Sequence, residues 1–296
     1  MDGILNINKP QGLTSFDVVK RVKSITGERH IGHAGTLDPS AVGVLPVCLG
    51  KATRIIEYLF DDTKTYRADI EFGIVTDTYD CDGSVVRTSN AGDVTLQAIE
   101  KALEKFRGDI LQIPPMYSAL KHHGQPLYKY ARLGVEIERQ QRPARIIKLD
   151  IIEWQPPVVT LDITCGKGTY IRSLAYDLGE EIGCGAYMKN LVRLRVGRFE
   201  IEDAVTLDQL ENSSRQVSLE NVLYPIDYPL DSFPAIKVDS AQANALLHGL
   251  NITIDNLQEI EDRLHRAYTQ EGLFIGMIKY LEAKEAWKPH KIFLKE

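Results

Sequence analysis

The densest run of chemically capable residues lies near the start of the chain: Arg29-His30-Ile31-Gly32-His33-Ala34-Gly35-Thr36-Leu37-Asp38-Pro39. Two histidines sit among glycines, and a carboxylate precedes a proline. The glycines let backbone approach a ligand closely, and Pro39 fixes its own φ beside Asp38. Such a loop can present Asp38 as a nucleophile or a general base. The same residues also compose an Asp-Pro turn in which Thr36 or Asp38 is only a cap. Two further segments carry polar chemistry. Lys64-Thr65-Tyr66-Arg67-Ala68 puts a tyrosine and two basic side chains on one strand. Cys165-Gly166-Lys167-Gly168-Thr169-Tyr170-Ile171-Arg172 runs from a strand through a Gly-Lys-Gly turn into a helix. It lacks the four-residue gap and the terminal GK[ST] of a Walker A loop. Arg172, inside the helix, is suited to pairing with a carboxylate.

The elements that must hold these residues follow from periodicity and punctuation. Gly3 to Asn8 predicts a strand, broken by Lys9-Pro10-Gln11-Gly12. Thr14-Ser15-x-Asp17 opens a helix with Phe16, Val19, Val22 and Ile25 as its apolar face, stopped by Gly27. Arg29 to Ser40 is expected as a loop, Val42 to Leu49 as a buried strand and Ala52 to Phe60 as a short helix. Thr65 to Val75 alternates as a strand, and Thr95 caps a helix through Phe106. Ile146 to Trp154, Val158 to Cys165 and Leu191 to Phe199 are expected strands, with a helix from Gly168 to Ile182. Short helical patterns recur near Leu207 to Leu210, Ser218 to Leu223 and Ser240 to His248; short strands are expected at Asn251 to Ile254, Leu273 to Tyr280 and Lys291 to Leu294. Strands outnumber helices without regular alternation, which predicts an α+β fold.

Composition bounds the class. The 296 residues are 44% hydrophobic and 26% charged, which excludes a disordered chain. No apolar run approaches the roughly 20 residues of a membrane-spanning helix, and the N-terminus lacks the pattern of a secretory signal. A cytoplasmic protein without membrane contact is expected. Cys48, Cys81, Cys165 and Cys184 show no metal-ligand spacing, so no metal site is expected.

The net charge of -6 is unevenly spread. Between Glu200 and Asp262 there are 13 acids and 2 bases. Lys121, Lys129, Arg132, Arg139, Arg142, Arg145 and Lys148 form a basic stretch holding only Glu136 and Glu138 as acids. Tyr117, His122, His123, Tyr128 and Tyr130 interleave with it. That mixture suits a phosphate backbone with exposed bases, and equally a solvated basic face.

Several blocks together resemble one family. Gly32-His33-Ala34-Gly35-Thr36-Leu37-Asp38-Pro39 is similar to the signature loop of TruB-type tRNA pseudouridine synthases. Gly3 to Pro10 with Gly12-Leu13-Thr14-Ser15 resembles the family's N-terminal motif, and Lys64-Thr65-Tyr66 its K-x-Y strand. Thr76-Asp77-Thr78-Tyr79-Asp80, Gln112 to Ala119, Gly168 to Leu174 and Leu191-x-Arg193 follow in family order. The matched blocks span about Gly3 to Phe199.

The resemblance implies isomerisation of uridine to pseudouridine at position 55 in the T loop of tRNA, without a cofactor. It implies a mixed, mainly antiparallel central sheet of the pseudouridine synthase type and a small β-rich PUA-like module. Residues 1–234 would form the catalytic domain, with an RNA-clasping basic insertion at about 121–148. Residues 235–296 would form the PUA-like module at the acceptor end of tRNA. Asp38 would attack C6 of the base or C1′ of the sugar, or abstract the 2′ proton; Arg172 would keep it ionised. Tyr66 would stack on the uracil and take the C5 proton, a task for which an ordinary phenol is a weak base. His33 would fill the space left by the flipped base, and Tyr170 and Leu191 would line the pocket. Asp80 matches a family acid near the site, or caps a turn beside Gly83. Lys9 shapes the pocket floor or simply holds a hairpin.

Two rivals share the aspartate loop: a guide-RNA-dependent, dyskerin-like subunit and an RNA-folding, tRNA-binding protein. The guided group has long basic termini, whereas this chain begins two residues before the first motif and ends in Lys295-Glu296. A stand-alone enzyme with no obligate protein partner is expected. A glycosidase would need a second carboxylate flanking the bond, and the only extra acid in a matched motif near the site is Asp80.

Overall fold

The computed structural model describes residues 1–216, 219–254 and 263–294. Ser218, part of the acid-rich stretch and the last two residues lie outside them. In chain order the strands of the first region are β1 (Gly3–Lys9), β2 (Ile31–His33), β3 (Val42–Leu49), β4 (Lys64–Phe72), β5 (Ile74–Thr76), β6 (Val85–Thr88), β7 (Gly108–Gln112), β8 (Lys121–His122), β9 (Gln125–Pro126), β10 (Arg142–Gln155), β11 (Val158–Cys165), β12 (Ala186–Val196), β13 (Phe199–Glu200) and β14 (Leu223–Tyr224). The helices are α1 (Ser15–Thr26), α2 (Ile56–Asp61), α3 (Leu96–Leu103), α4 (Leu127–Arg132), α5 (Ile171–Ile182), α6 (Leu207–Gln216) and α7 (Ser240–Leu247). The fold is α+β, as expected.

One large sheet runs β14-β1-β3-β12-β4-β11-β10-β7, with β2 beside β3 and β13 beside β12. Every pairing in it is antiparallel except β3 with β12. At that parallel seam Arg193 lies opposite Gly43. Gly43 has φ +106°, and a Cβ there would stand 2.3 Å from the Arg193 carbonyl oxygen, so only glycine fits. On β4 the side chains alternate as the sequence predicts. Ala68, Ile70 and Phe72 are buried, and Tyr66 packs on the same cluster with Leu174, Leu178 and Leu191. Arg67 and Asp69 occupy the opposite face, bonded to Asp162 and Thr160.

The second sheet follows β15 (Ala235–Lys237), β16 (Leu264–Tyr268), β17 (Phe274–Leu281) and β18 (Ala286–Ile292) in that order. It encloses its own apolar cluster around Trp287, Ile275 and Leu246. It docks on the first region through Lys51 Nζ, which donates to the Phe293 carbonyl at 2.5 Å, and Tyr268 Oη, which donates to Asp227 at 2.7 Å.

The structure departs from local expectation in places. α1 has the expected Thr14 capping box and Gly27 stop, but it buries Ser15, Val18, Val19 and Val22. Phe16 is 62% exposed, because it falls off that stripe. The run Arg29 to Ser40 contains β2, pinned to β3. α5 begins at Ile171 rather than Gly168. In the second sheet β15 and β16 were not expected, and Ile252 forms only an isolated bridge to Trp287.

Asp62, just before β4, lies under Gly197, where an added Cβ would meet its Oδ2 at 2.4 Å. Burial pushes the Asp62 carboxyl up to about 6; Lys64 opposes this, and Asp231 and Asp61 add to it. A carboxyl raised in this way contributes stability that is complete below about pH 4 and is lost as pH rises through its folded value. Asp62→Asn is expected to match the wild type near pH 3.5. It should exceed the wild type by roughly 1 kcal/mol at pH 7.5, after solvent screening. Urea unfolding at the two pH values checks this.

Candidate active site

The aspartate loop spans the gap between β2 and β3 and is held from four sides. Leu37 N–H donates to Ser15 Oγ at 2.9 Å, and Ser15 Oγ donates back to the Leu37 carbonyl at 3.1 Å. Gly12 N–H donates to the Pro39 carbonyl at 2.8 Å, and Ala34 N–H to the Pro46 carbonyl at 3.0 Å. Lys9 Nζ donates to the carbonyls of Pro10, Leu13 and Pro39 at 2.9, 2.6 and 3.2 Å. Arg193 closes the far side, donating through Nη2 to the Gly35 carbonyl at 3.1 Å and through Nε to Val44 at 2.7 Å. None of these bonds uses the Asp38 carboxylate. The loop is rigid without it, and the carboxylate is free for another task.

That carboxylate pairs with Arg172, at the start of α5: Nη2 to Asp38 Oδ2 is 3.0 Å, and Nη1 to Asp80 Oδ2 is 3.3 Å. The side chains of Arg172, Asp80 and Asp38 are 8%, 4% and 37% exposed. A buried guanidinium thus faces one buried and one open carboxylate, and the open one is the group a substrate can reach. Nη2 also donates to the Tyr117 carbonyl at 2.8 Å. Asp80 caps a turn and also meets Arg172. Its Oδ1 accepts from Thr78 Oγ1 at 2.5 Å and from Asp82 N–H at 3.1 Å, capping the turn; its Oδ2 meets Arg172. Burial pushes the Asp80 carboxyl up, opposed by the Thr78 hydrogen bond and by Arg172.

Tyr66, on β4, lies opposite Arg193 on β12, and Leu191 lies opposite Ala68 two residues along. Both side chains pack on the same apolar cluster. Burial pushes the Tyr66 phenol up, partly offset by the neighbouring Arg193 cation. Tyr170 caps α5; burial pushes its phenol up as well, opposed by Ser118, Arg172 and Arg142. It stands two residues before Arg172 at the start of α5. Burial and Arg193 lower the His33 imidazole, which favours the neutral ring. Its Nδ1 is buried without a hydrogen-bond partner. Lys9 is fully buried and its ammonium is lowered to about 8, with desolvation the main cause. Its three carbonyl contacts give it the hairpin-holding role and also tie β1 to the aspartate loop.

Two surface cavities flank this centre. One of about 840 Å³ lies beside Lys9, Leu13 and Thr206. The other, of about 560 Å³, lies beside Tyr79, Tyr117 and Tyr176. Asp38 lines neither. Among the described residues no three His, Cys, Asp or Glu side chains gather as metal ligands. Lys167 of the Gly-Lys-Gly turn pairs with Asp61 at 2.7 Å on the surface and takes no part in the site.

The sequence left two side chains without a role that the structure gives one. Arg193 was visible only as the end of a matched block, and its burial at 1% exposure arises from the seam between β3 and β12. Gln112 opens the block Gln112-Ile113-Pro114-Pro115, and its partner Tyr170 is 58 residues away.

Only the first part of the basic stretch, with Lys121, Lys129, Arg132 and Arg139, forms a small excursion between β7 and β10; Arg142, Arg145 and Lys148 lie on β10 in the main sheet, so the expected insertion ends before residue 142. β8 and β9 pair as a hairpin, followed by α4. The His122 ring meets His123 and Tyr130 edge-on at 4.2 and 5.9 Å, and the Arg132 guanidinium lies over Tyr128 at 5.5 Å.

Comparison with known proteins gives the family. Residues 23–171 match the model described as TruB family pseudouridylate synthase (N terminal domain). Residues 172–231 match the tRNA pseudouridylate synthase B C-terminal domain. The junction falls at the start of α5, and strands of the main sheet lie on both sides of it. The chain is 45% identical over its whole length to a tRNA pseudouridine synthase B of Dehalococcoides mccartyi, covering 98% of that protein. It is 40% identical over 99% of its length to that of Haemophilus influenzae, covering 93% of it. Among solved structures, an archaeal box H/ACA sRNP Nop10-Cbf5 complex superimposes with a TM-score of 0.75 at 26% identity, covering 99% of this chain and 86% of that one. The chain belongs to the TruB family of pseudouridylate synthases.

Proposed function

We propose that this protein isomerises uridine to pseudouridine in tRNA, at position 55 of the T loop, by flipping the base onto Asp38. The observation that carries the assignment is the half-open Asp38 carboxylate held 3.0 Å from a buried arginine. Full-length relatives bearing the name tRNA pseudouridine synthase B support tRNA as the substrate. Asp38, oriented and charge-balanced by Arg172, attacks C6 or C1′ or takes the 2′ proton; the N1–C1′ bond breaks, the base turns and C5 bonds to C1′. Tyr66 stacks on the uracil and, as the phenolate with its own proton given to solvent, receives the C5 proton, while N1 takes a proton from solvent. Tyr170 and Leu191 wall the pocket, and Lys9 holds its floor. His33, neutral and half-buried, occupies the space the base vacates, offsetting part of the few kcal/mol that flipping costs.

Residues 1–234 are assigned to the catalytic domain and 235–296 to a PUA-like module at the acceptor end of tRNA. A cytoplasmic location and stand-alone action, without cofactor or obligate protein partner, complete the assignment. No helix among the described residues is long and apolar enough to cross a membrane.

The test is tritium release from tRNA labelled at uridine C5, beside the same tRNA carrying cytidine at position 55. Release from the first alone, with nothing added, is expected. Likeness to a Nop10-Cbf5 complex favours one alternative, a guided subunit. It would release tritium only after a guide RNA and a partner protein are supplied.

The basic excursion is assigned to the RNA backbone. Lys121 is exposed, and Lys129 stands in the last turn of α4. The double variant Lys121→Glu, Lys129→Glu is expected to weaken tRNA binding about tenfold at about 100 mM salt. It should flatten the slope of log affinity against log salt by roughly two. Filter binding across a salt series measures both, and an unchanged slope would remove the excursion from the interface.

A further inference from the structure

The basic excursion leaves and re-enters the main sheet at one point. β7 ends at Gln112, β10 begins at Arg142, and these two residues are register partners. Gln112 is only 2% exposed although it stands on the edge strand. Its amide is committed to one residue. Nε2 donates to the Tyr170 carbonyl at 3.2 Å, and Oε1 accepts from the Tyr170 N–H at 3.1 Å. Tyr170 is the N-cap of α5 and has no side-chain cap bond of its own, so Gln112 supplies a two-point clamp there. Two more bonds join the strip after Gln112 to the same helix end. Ser173 Oγ donates to the Ile113 carbonyl at 2.7 Å, and Arg172 Nη2 to the Tyr117 carbonyl at 2.8 Å.

The strip also carries the excursion. Tyr128 N–H donates to the Ser118 carbonyl at 3.1 Å, and Arg139 Nη1 to the Pro114 carbonyl at 3.3 Å. Residues 113–118 are therefore one layer of backbone between the basic excursion and the arginine that faces Asp38. The same nitrogen, Arg172 Nη2, is shared between the Tyr117 carbonyl and Asp38 Oδ2. Displacing one acceptor re-aims the other.

We propose that Gln112 is a positioning residue that sets Tyr170 and Arg172. Through the 113–118 strip, closure of the basic excursion on RNA is felt at the Arg172 guanidinium. This rests on the assignment of Asp38 and Arg172 as the reacting pair. Catalysis is thereby tied to RNA engagement: an excursion out of place holds the Tyr117 carbonyl, and with it Arg172, away from the productive geometry.

Gln112→Glu keeps the acceptor but sets an oxygen against the Tyr170 carbonyl; Gln112→Asn keeps both groups but draws them back by one methylene. Single-turnover tritium release, tRNA affinity and backbone hydrogen exchange would be measured for both. The expected result is binding within about threefold of wild type and a rate about 10- to 100-fold lower. The loss should shrink below about threefold in an Arg172→Lys background, where the geometry being set is already gone. An undiminished loss in that background, or a loss of binding equal to the loss of rate, would leave Gln112 a structural residue and overturn the proposal. An unchanged rate would also overturn it.

Exchange gives a readout independent of turnover. tRNA should protect the amides of Ile113, Met116, Tyr117 and Ser118 together with those of 170–173 in the wild type. In Gln112→Glu it should protect the excursion but not 170–173. Protection of 170–173 that survives the substitution would reject the coupling. A wild type that releases no tritium refutes the proposed reaction; the exchange result still decides the coupling.

Discussion

Asp38→Asn is expected to lower the single-turnover rate of pseudouridine formation at least about 10⁴-fold while leaving tRNA affinity within about threefold. The first half follows from chemistry. Only the ionised carboxylate can bond to carbon or take a proton, and an amide of the same shape does neither. The second half follows from the way the loop is held. Ser15, Gly12, Lys9 and Arg193 fix its backbone, and no bond in that set ends on the Asp38 side chain. The substituted amide would still offer Arg172 a carbonyl oxygen, and Asp80 would still balance the guanidinium at 3.3 Å. Asp38→Ala should behave alike. Tritium release and filter binding on the same preparations separate the two halves, and substantial residual turnover would remove Asp38 as the reacting group.

Arg172→Lys is expected to lower the rate about 100- to 1,000-fold, again with little change in tRNA affinity. The lysine keeps the charge but not the fork. Arg172 uses two terminal nitrogens to reach three acceptors: Asp38, Asp80 and the Tyr117 carbonyl. A single ammonium cannot reproduce one contact on each of two terminal nitrogens. If it sits with Asp80, whose side chain is only 4% exposed, Asp38 loses its partner. If it sits with Asp38, a buried carboxylate is left unpaired, which is the costlier arrangement. A hundredfold loss corresponds to about 2.7 kcal/mol of transition-state stabilisation. A rate within about tenfold of wild type would show that charge alone suffices and that the two-carboxylate geometry is incidental.

The two substitutions also distinguish the proposed reaction from RNA folding. A protein that only remodels tRNA would lose nothing with Asp38→Asn. A guided subunit would show both losses, but only in the presence of its guide.

Much of this molecule is readable from its sequence, because the information is local. The alternation on β4, the Thr14 capping box, the Gly27 stop and the block order from Gly3 to Phe199 are all set by neighbours a few residues apart. The backbone answers to those neighbours directly. Local residues left Asp38 open between a turn cap and a nucleophile, and the resemblance to the family made it the reacting candidate. The sequence also marked Arg172 as suited to a carboxylate, and the resemblance to the family gave Asp38 as that carboxylate. What it left open are facts of distance between segments. That Asp80 both caps its own turn and balances Arg172 depends on two hydrogen-bonding faces of one carboxylate pointing in different directions. That Arg193 is buried depends on the one parallel pairing in the main sheet. That Gln112 clamps Tyr170 depends on an edge strand meeting a helix end 58 residues later. That Phe16 is exposed while Val18 is buried depends on which side of α1 meets the sheet, and helical period alone fixes a stripe only to within a residue or two. Sequence order thus determined which residues could react, and the packing of β3, β12 and α5 decided which of them share a partner.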